Sequence, residues 1–217
     1  MATNGLSAVR ERIAAAAARS DRSVDEITLV AVSKTVGVAE IEAAYAAGHR
    51  DFGENRSHEL AQKAARLPED ITWHFIGSLQ SRKAKEVAPV AAMVHSIDRE
   101  SLLRSWARTG SAAKLLLQIN LAHEEQKHGA DETEVVRLLD LAAELGLEFS
   151  GLMLMPPLVA DAEENRPWFQ RLRRIRDELQ PAYPTITDLS MGMTDDFEVA
   201  IEEGATLIRV GRAIFGG

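Results

Sequence analysis

Apolar residues recur along this chain in two alternating modes. Short, continuous β-branched or apolar runs read as strands, and longer stretches with apolar positions every three or four residues read as helices. The leading segment, Met1 to Ser20, is alanine-rich with Arg10, Arg12 and Arg19 interleaved, and predicts a helix. Ile27–Ser33 then predicts a strand buried on both faces. Helix-patterned Val38–Ala47 stops at Gly48, and His49–Phe52 is a short strand. A helix over Arg56–Leu67 ends before Pro68, a strand covers Thr72–Ile76, and helical Ser81–Val87 runs up to Pro89. Strand Ala92–Ser96 is followed by a helix to Arg108, with Asp98 expected as its N-cap. Lys114–Asn120, Glu148–Met155, Thr185–Leu189 and Thr206–Val210 complete the strands. Helices over Asp131–Leu145, Glu163–Leu179 and Asp195–Glu203 lie between them. Eight strands alternate with helical segments, which implies right-handed crossovers and a parallel sheet. The count favours an α/β fold of the (β/α)8 TIM-barrel type with an extra N-terminal helix over an open doubly wound sheet. Such barrels run to about 250 residues, so the 217 residues are expected to form a single domain over positions 1–217.

Composition narrows the chemistry. There is no cysteine, which excludes disulfide frameworks, thiolate zinc sites, iron–sulfur clusters and cysteine nucleophiles. The net charge of −8 argues against general binding to nucleic acid or to an anionic membrane. No run approaches the ~18 apolar residues of a spanning helix. Ile13–Ala18 is too short for a secretory core, so a cytoplasmic protein is expected. Of the 25 basic residues only six are lysines: Lys34, Lys63, Lys83, Lys85, Lys114 and Lys127. Five read as ordinary surface positions.

Lys34 does not. It follows Leu29–Ser33 with no charge in the seven preceding residues. A barrel carries its function at the C-terminal ends of its strands. A lysine withdrawn from water at that mouth favours the neutral amine that Schiff-base chemistry needs; the alternative is a lysine snorkelling outward. Barrels often hold phosphate with the loops after strands seven and eight. Here these are Ser190-Met-Gly-Met-Thr194 and Gly211-Arg-Ala213, with glycines for close approach and free N–H donors. Asp195 and Asp196 would repel a phosphate if they faced it, and are expected to cap the next helix. Arg209 lies between apolar neighbours, so it needs an acceptor, either a core carboxylate or a ligand. No metal site is expected. The histidines of His123-Glu-Glu-Gln-Lys-His128 are five apart, not the four of a zinc helix, and read as part of a polar loop. The basic run Arg171–Arg176 leaves Leu172, Ile175 and Leu179 on one face and reads as a solvated helix surface.

With these residues assembled, the sequence resembles the YggS/PROSC family of pyridoxal phosphate homeostasis proteins, from about Leu29 to Phe215. The resemblance rests on Val30-Ala-Val-Ser-Lys-Thr35, Phe52-Gly-Glu-Asn55, Trp73-His-Phe-Ile-Gly77 with Leu79-Gln80, and Val94-His-Ser-Ile-Asp98. Leu189-Ser-Met-Gly-Met193 with Asp196-Phe197, and Arg209-Val-Gly211 with Ala213-Ile-Phe-Gly216, complete it. It implies a barrel like the N-terminal domain of alanine racemase and a Schiff base between Lys34 and pyridoxal 5'-phosphate. It also implies that Ser190, Met191, Thr194, Gly211 and neighbouring N–H groups hold the phosphate. Arg209 would face the pyridine nitrogen, with Asn55 and His74 near the ring. The chain departs from the usual pattern at Arg56-Ser57, where an aromatic residue or arginine and then valine are common, and at Thr194, often serine. A permanently charged arginine beside the ring nitrogen keeps it unprotonated and a weak electron sink. The last strand is followed by only seven residues, leaving no covering β-domain. Both points favour a cofactor carrier, with apo-enzymes that use the cofactor as partners and no catalytic residue assigned, over a weak amino-acid racemase.

Overall fold

The computed structural model describes residues 2–122 and 128–216. Eight strands close a parallel barrel in chain order: β1 (Thr28–Val32), β2 (Asp51–Glu54), β3 (Thr72–Phe75), β4 (Met93–Ile97), β5 (Lys114–Ile119), β6 (Phe149–Leu154), β7 (Asp188–Ser190) and β8 (Leu207–Val210). Pairing from Thr28↔Leu207 to Ala31↔Val210 shuts the ring. Outside it lie α1 (Ala2–Arg19), α2 (Val38–Ala46), α3 (Ser57–Ala64), α4 (Ala84–Val87), α5 (Glu100–Ala107), α6 (Val135–Glu144), α7 (Arg166–Leu179), α8 (Phe197–Glu202) and α9 (Arg212–Phe215). The expected (β/α)8 barrel with a leading helix is what the chain forms. No helix among the described residues is long and apolar enough to cross a membrane.

Alternation along the strands sorts the buried residues into two regions. One side faces the helices, where Phe52, Phe75, Leu117 and Ile208 pack with Leu60, Trp106, Phe169 and Phe197. The other faces the barrel axis, where Val30, Met93, Leu116, Met153 and Leu207 form a small separate cluster. His74, His95, Gln118, Ser190 and Arg209 share that inward parity and are all buried. The interior is thus apolar in one part only, unlike the branched aliphatic layers usual in such barrels.

The N-terminal helix completes the outer layer. Leu6, Val9, Ile13, Ala16 and Ala17 make one buried face on α1. That face lies against α2, α8 and α9. The unit after β8 supplies only the four residues of α9, and α1 covers the flank they leave open. On α7 the expected apolar face is present as Phe169, Leu172, Ile175 and Leu179. Arg171 and Arg173 are part-exposed and pair with Glu132 and Glu203, while Arg176 is largely covered, pairs with Asp177 and donates to the Thr187 carbonyl. Most of the polar stretch His123–His128 lies outside the described residues.

Some boundaries move. The second strand sits two residues later than expected, because its ladder to β3 runs from Asp51↔Thr72 to Glu54↔Phe75. His49 instead bonds the carbonyl of Asp51 through Nε2 at 2.8 Å. The seventh strand begins at Asp188, since Thr185 and Thr187 make a local turn bonded to Phe149 and Ser150. Asp98 does not cap α5. The helix starts one residue later, after Arg99, and the carboxylate accepts from the Arg99 guanidinium.

Gly5 tests the α1 contact. A Cβ there would lie 2.5 Å from the carbonyl oxygen of Ile214 in α9. Within an exposed helix, glycine to alanine stabilises by about 0.5–1 kcal/mol. Here the sign reverses: Gly5→Ala is expected to lower urea-unfolding stability by about 1–3 kcal/mol, the cost of overpacking.

Candidate functional site

The C-terminal ends of four consecutive strands, β7, β8, β1 and β2, gather most of the residues singled out from the sequence. The N–H of Arg209 on β8 bonds the carbonyl of Gly192 after β7. A Cβ on Gly211 would come within 3.1 Å of the carbonyl of Val32 at the end of β1. Ser33 donates its N–H to Gly53 on β2, which brings Asn55 beside the turn at Lys34. Met191 and Ser190 are buried, and Asn55, Thr194 and Gly211 are half-buried on this rim.

Lys34 stands two residues beyond β1 and is exposed, so of the two alternatives left by its apolar approach it takes the outward one. The backbone just after it is strained. Thr35 has φ +62°, a left-handed conformation costly for a β-branched residue. It is held by its N–H to Glu59 Oε2 at 3.4 Å and its hydroxyl to the Lys34 carbonyl at 2.6 Å.

Lys63, read from the sequence as a surface lysine, is buried and anchors this turn. Its Nζ donates to the Ser33 carbonyl at 2.7 Å and to Glu54 Oε1 at 2.6 Å. The Ser33 hydroxyl donates to the same Glu54 oxygen at 2.7 Å. Burial pushes the Glu54 carboxyl up, while the Lys63 and Ser33 hydrogen bonds pull it down. The sequence signal was available: Lys63 falls between Leu60 and Leu67 at the helical spacing of the buried face.

The loop after β7 is shaped for close approach. Gly192 has φ +90°, and a Cβ there would meet Ala200 at 2.6 Å, so this position needs glycine. Among the described residues, no hydrogen bond uses the N–H of Gly192, Thr194 or Asp195. The expected helix cap at Asp196 is not made. Its carboxylate instead accepts from the N–H of Met193 at 2.7 Å and from Asn165 Nδ2 at 2.8 Å, and so folds the loop. Asp195 is exposed and pairs with Arg212.

Arg209 lies inside the barrel. Nη1 donates to Ser190 Oγ at 2.5 Å and Nη2 to the Leu154 carbonyl at 2.9 Å. Among the described residues no carboxylate pairs with it directly, so the core ion pair considered from the sequence is absent. Burial lowers its pKa to about 10, with Asp196 opposing; the guanidinium stays charged at neutral pH. Ser190 Oγ also meets His95 Nδ1 at 2.8 Å. His95 Nε2 meets His74 Nδ1 at 3.0 Å, and His74 Nε2 meets Asp51 Oδ1 at 3.0 Å. His74 therefore reaches the rim only through His95 and Ser190. It faces a cavity of about 640 Å³ at the opposite, N-terminal mouth, lined also by Asp51, Lys114 and Asp188. Asp51 and His95 carried no role in the sequence reading, because nothing local marks strand parity as pointing inward.

Among the described residues, a buried cation bonded to neutral acceptors, N–H groups with no partner and an exposed lysine on a strained turn lie together at this barrel mouth. Residues 5–217 match the family described as alanine racemase, N-terminal domain. The chain belongs to that family, and within it to the group of pyridoxal phosphate homeostasis proteins. It is 39% identical to the protein of that name from Aquifex aeolicus, over 97% of this chain and 96% of the relative. It is 40% identical to the one from Escherichia coli K12, over 98% and 95%. Among solved structures it is similar to PipY of Synechococcus elongatus with PLP bound, at TM-score 0.80 and 38% identity, over 96% of this chain and all of that one. A lysine/ornithine decarboxylase from Vibrio vulnificus shares the fold at TM-score 0.71 and 13% identity, over 95% of this chain and 61% of that one.

Two measurements probe this geometry. Removing one partner of a buried ion pair typically costs about 3–5 kcal/mol. Lys63→Met is expected to lose that much stability in urea, and Lys63→Met with Glu54→Leu to recover more than half of it. Burial, with His74 and Arg209 nearby, holds the His95 imidazole well below its usual range. The unfolded chain then binds a proton at about pH 6.5 that the folded one refuses. The corresponding stability is complete above that pH and is lost as pH falls through it. Between pH 7 and 5, unfolding free energy should fall more steeply in the wild type than in His95→Gln; equal slopes would exclude the linkage.

Proposed function

We propose that this protein binds pyridoxal 5'-phosphate as a Schiff base through Lys34 and holds it without robust turnover, as part of cytoplasmic cofactor supply. The observation that carries this reading is Arg209, a buried cation that among the described residues pairs directly with no carboxylate and is set beside a loop of N–H donors without a partner there. A neutral ring nitrogen is an acceptor such a group can serve. The Ser190–Thr194 loop and the backbone at Gly211 suit a phosphate. Lys34, Asn55, Met191 and Thr194 complete the rim. The PLP-bound state of PipY and the names of the homeostasis relatives support the same ligand.

When bound, pyridoxal phosphate supplies an electron-withdrawing ring conjugated to the imine. Its capacity as an electron sink depends on protonation of the ring nitrogen. Arg209 can only donate there and remains charged at neutral pH. It therefore leaves that nitrogen without a proton of its own, which favours holding over carbanion chemistry. Apo-enzymes that need the cofactor are the partners this reading implies.

Purified protein mixed with pyridoxal phosphate is expected to develop a Schiff-base absorbance band that Lys34→Ala abolishes. A full band in that variant would overturn the Lys34 assignment. The loaded protein should then activate an apo-enzyme faster than free cofactor at equal concentration; no gain in rate would remove the carrier role and leave binding intact.

A further inference from the structure

The hydrogen bonds inside the barrel have only one self-consistent direction when both imidazoles are neutral. Arg209 sits at one end and has donors only. Its Nη1 donates to Ser190 Oγ, so the Ser190 hydroxyl hydrogen is free to turn to His95 Nδ1, 2.8 Å away. An imidazole that accepts at Nδ1 carries its hydrogen on Nε2. His95 Nε2–H then donates to His74 Nδ1 at 3.0 Å, and His74 Nε2–H donates to Asp51 Oδ1 at 3.0 Å. The Asp51 carboxylate only accepts, which closes the chain at the other end. The two rings meet edge to face with centroids 5.2 Å apart, which fits this alignment.

The chain spans the barrel. Arg209 and Ser190 belong to the rim described above, whereas Asp51 begins β2 and faces the N-terminal mouth with a third of its side chain exposed. His74 and His95 are buried between them, and His95 is fully enclosed. With each inner atom used once, the chain turns on its two ends, a donor-only cation and an acceptor-only anion. If the Asp51 acceptor is lost, the opposite direction becomes available: His74 Nδ1–H to His95 Nε2, and His95 Nδ1–H to Ser190. Ser190 would then accept from both Arg209 and His95, and its own hydrogen would have to find another acceptor. The bond that seats the guanidinium would share its oxygen with a competing donor.

We propose that Asp51, through His74 and His95, is a positioning residue for Arg209: it fixes the tautomers of both histidines and thereby the direction of the Ser190 hydroxyl that seats the guanidinium. Its effect on a bound cofactor rests on the reading given under Proposed function, but the tautomers themselves do not.

The test reads both. Two-bond ¹H–¹⁵N correlation of the ¹⁵N-labelled, unloaded protein at pH 7.5 reports which nitrogen of each histidine bears hydrogen, with His74→Gln and His95→Gln assigning the signals. The expected pattern is Nε2–H at both residues in the wild type and in Asp51→Asn, whose carbonyl can still accept from His74. Asp51→Ala, at a part-exposed position, should show an Nδ1–H signal at His95. With pyridoxal phosphate added, Asp51→Ala should bind about fivefold more weakly, the effect of one weakened hydrogen bond. Asp51→Asn should bind as the wild type does. Nδ1–H at His95 in the wild type would overturn the proposal. So would Asp51→Ala with unchanged tautomers and unchanged binding. If the wild type takes up no cofactor, the functional reading fails, and the tautomers of the unloaded protein still decide this inference.

Discussion

A charged guanidinium inside a barrel is the constraint on which the interior depends. Taking such a group out of water costs several kcal/mol unless its donors are met. Arg209 meets that cost with a hydroxyl and a main-chain carbonyl rather than an ion pair. Ser190 is then committed to the arginine, His95 to Ser190, His74 to His95 and Asp51 to His74. Five residues from five strands are tied together around one buried charge. The aliphatic filling that usually occupies a barrel axis is confined to Val30, Met93, Leu116, Met153 and Leu207.

A second buried charge does comparable work outside the ring. Lys63 reaches from α3 to the end of β1 and holds the Ser33 carbonyl, with Glu54 as its counter-ion. The residue so anchored immediately precedes Lys34, and the one after Lys34 sits in a strained left-handed conformation. The exposed lysine is thus mounted on a turn whose backbone is over-determined. A reactive side chain gains from this arrangement, since its reach is free while its root is fixed. The two buried charges, Arg209 within the barrel and Lys63 behind it, frame the mouth from opposite sides of β1.

Much of this was legible in the sequence. The alternation of apolar runs with helical periods, repeated eight times, determined the barrel, because a parallel strand must bury both faces and each crossover must carry a helix. The leading helix and the apolar face of α7 followed from the same periodicity. Strand ends gave Lys34, Ser190, Thr194, Arg209 and Gly211, since in a barrel those ends fall on one rim, and Asn55 entered through the family resemblance. Capping was less legible. Asp98 and Asp196 have the residue type of an N-cap, yet each carboxylate found a stronger partner nearby, Arg99 in one case and the Met193 N–H with Asn165 in the other.

The sequence by itself determined the order of elements and which residue types stand at the strand ends, because these depend on local period. Only the tertiary structure decided which polar residues meet. Asp51, His74, His95, Ser190 and Arg209 are spread over 159 positions of the chain and share no local pattern. They converge because closing the ring turns one parity of every strand toward a common axis. For Lys63 the helical spacing with Leu60 and Leu67 marks the inner face of α3, and packing that face against the end of β1 supplies its partners, the Ser33 carbonyl and Glu54. Burial and partnership belong to the packed ring, and the inner face of a helix acquires its partners only when a strand end is placed against it.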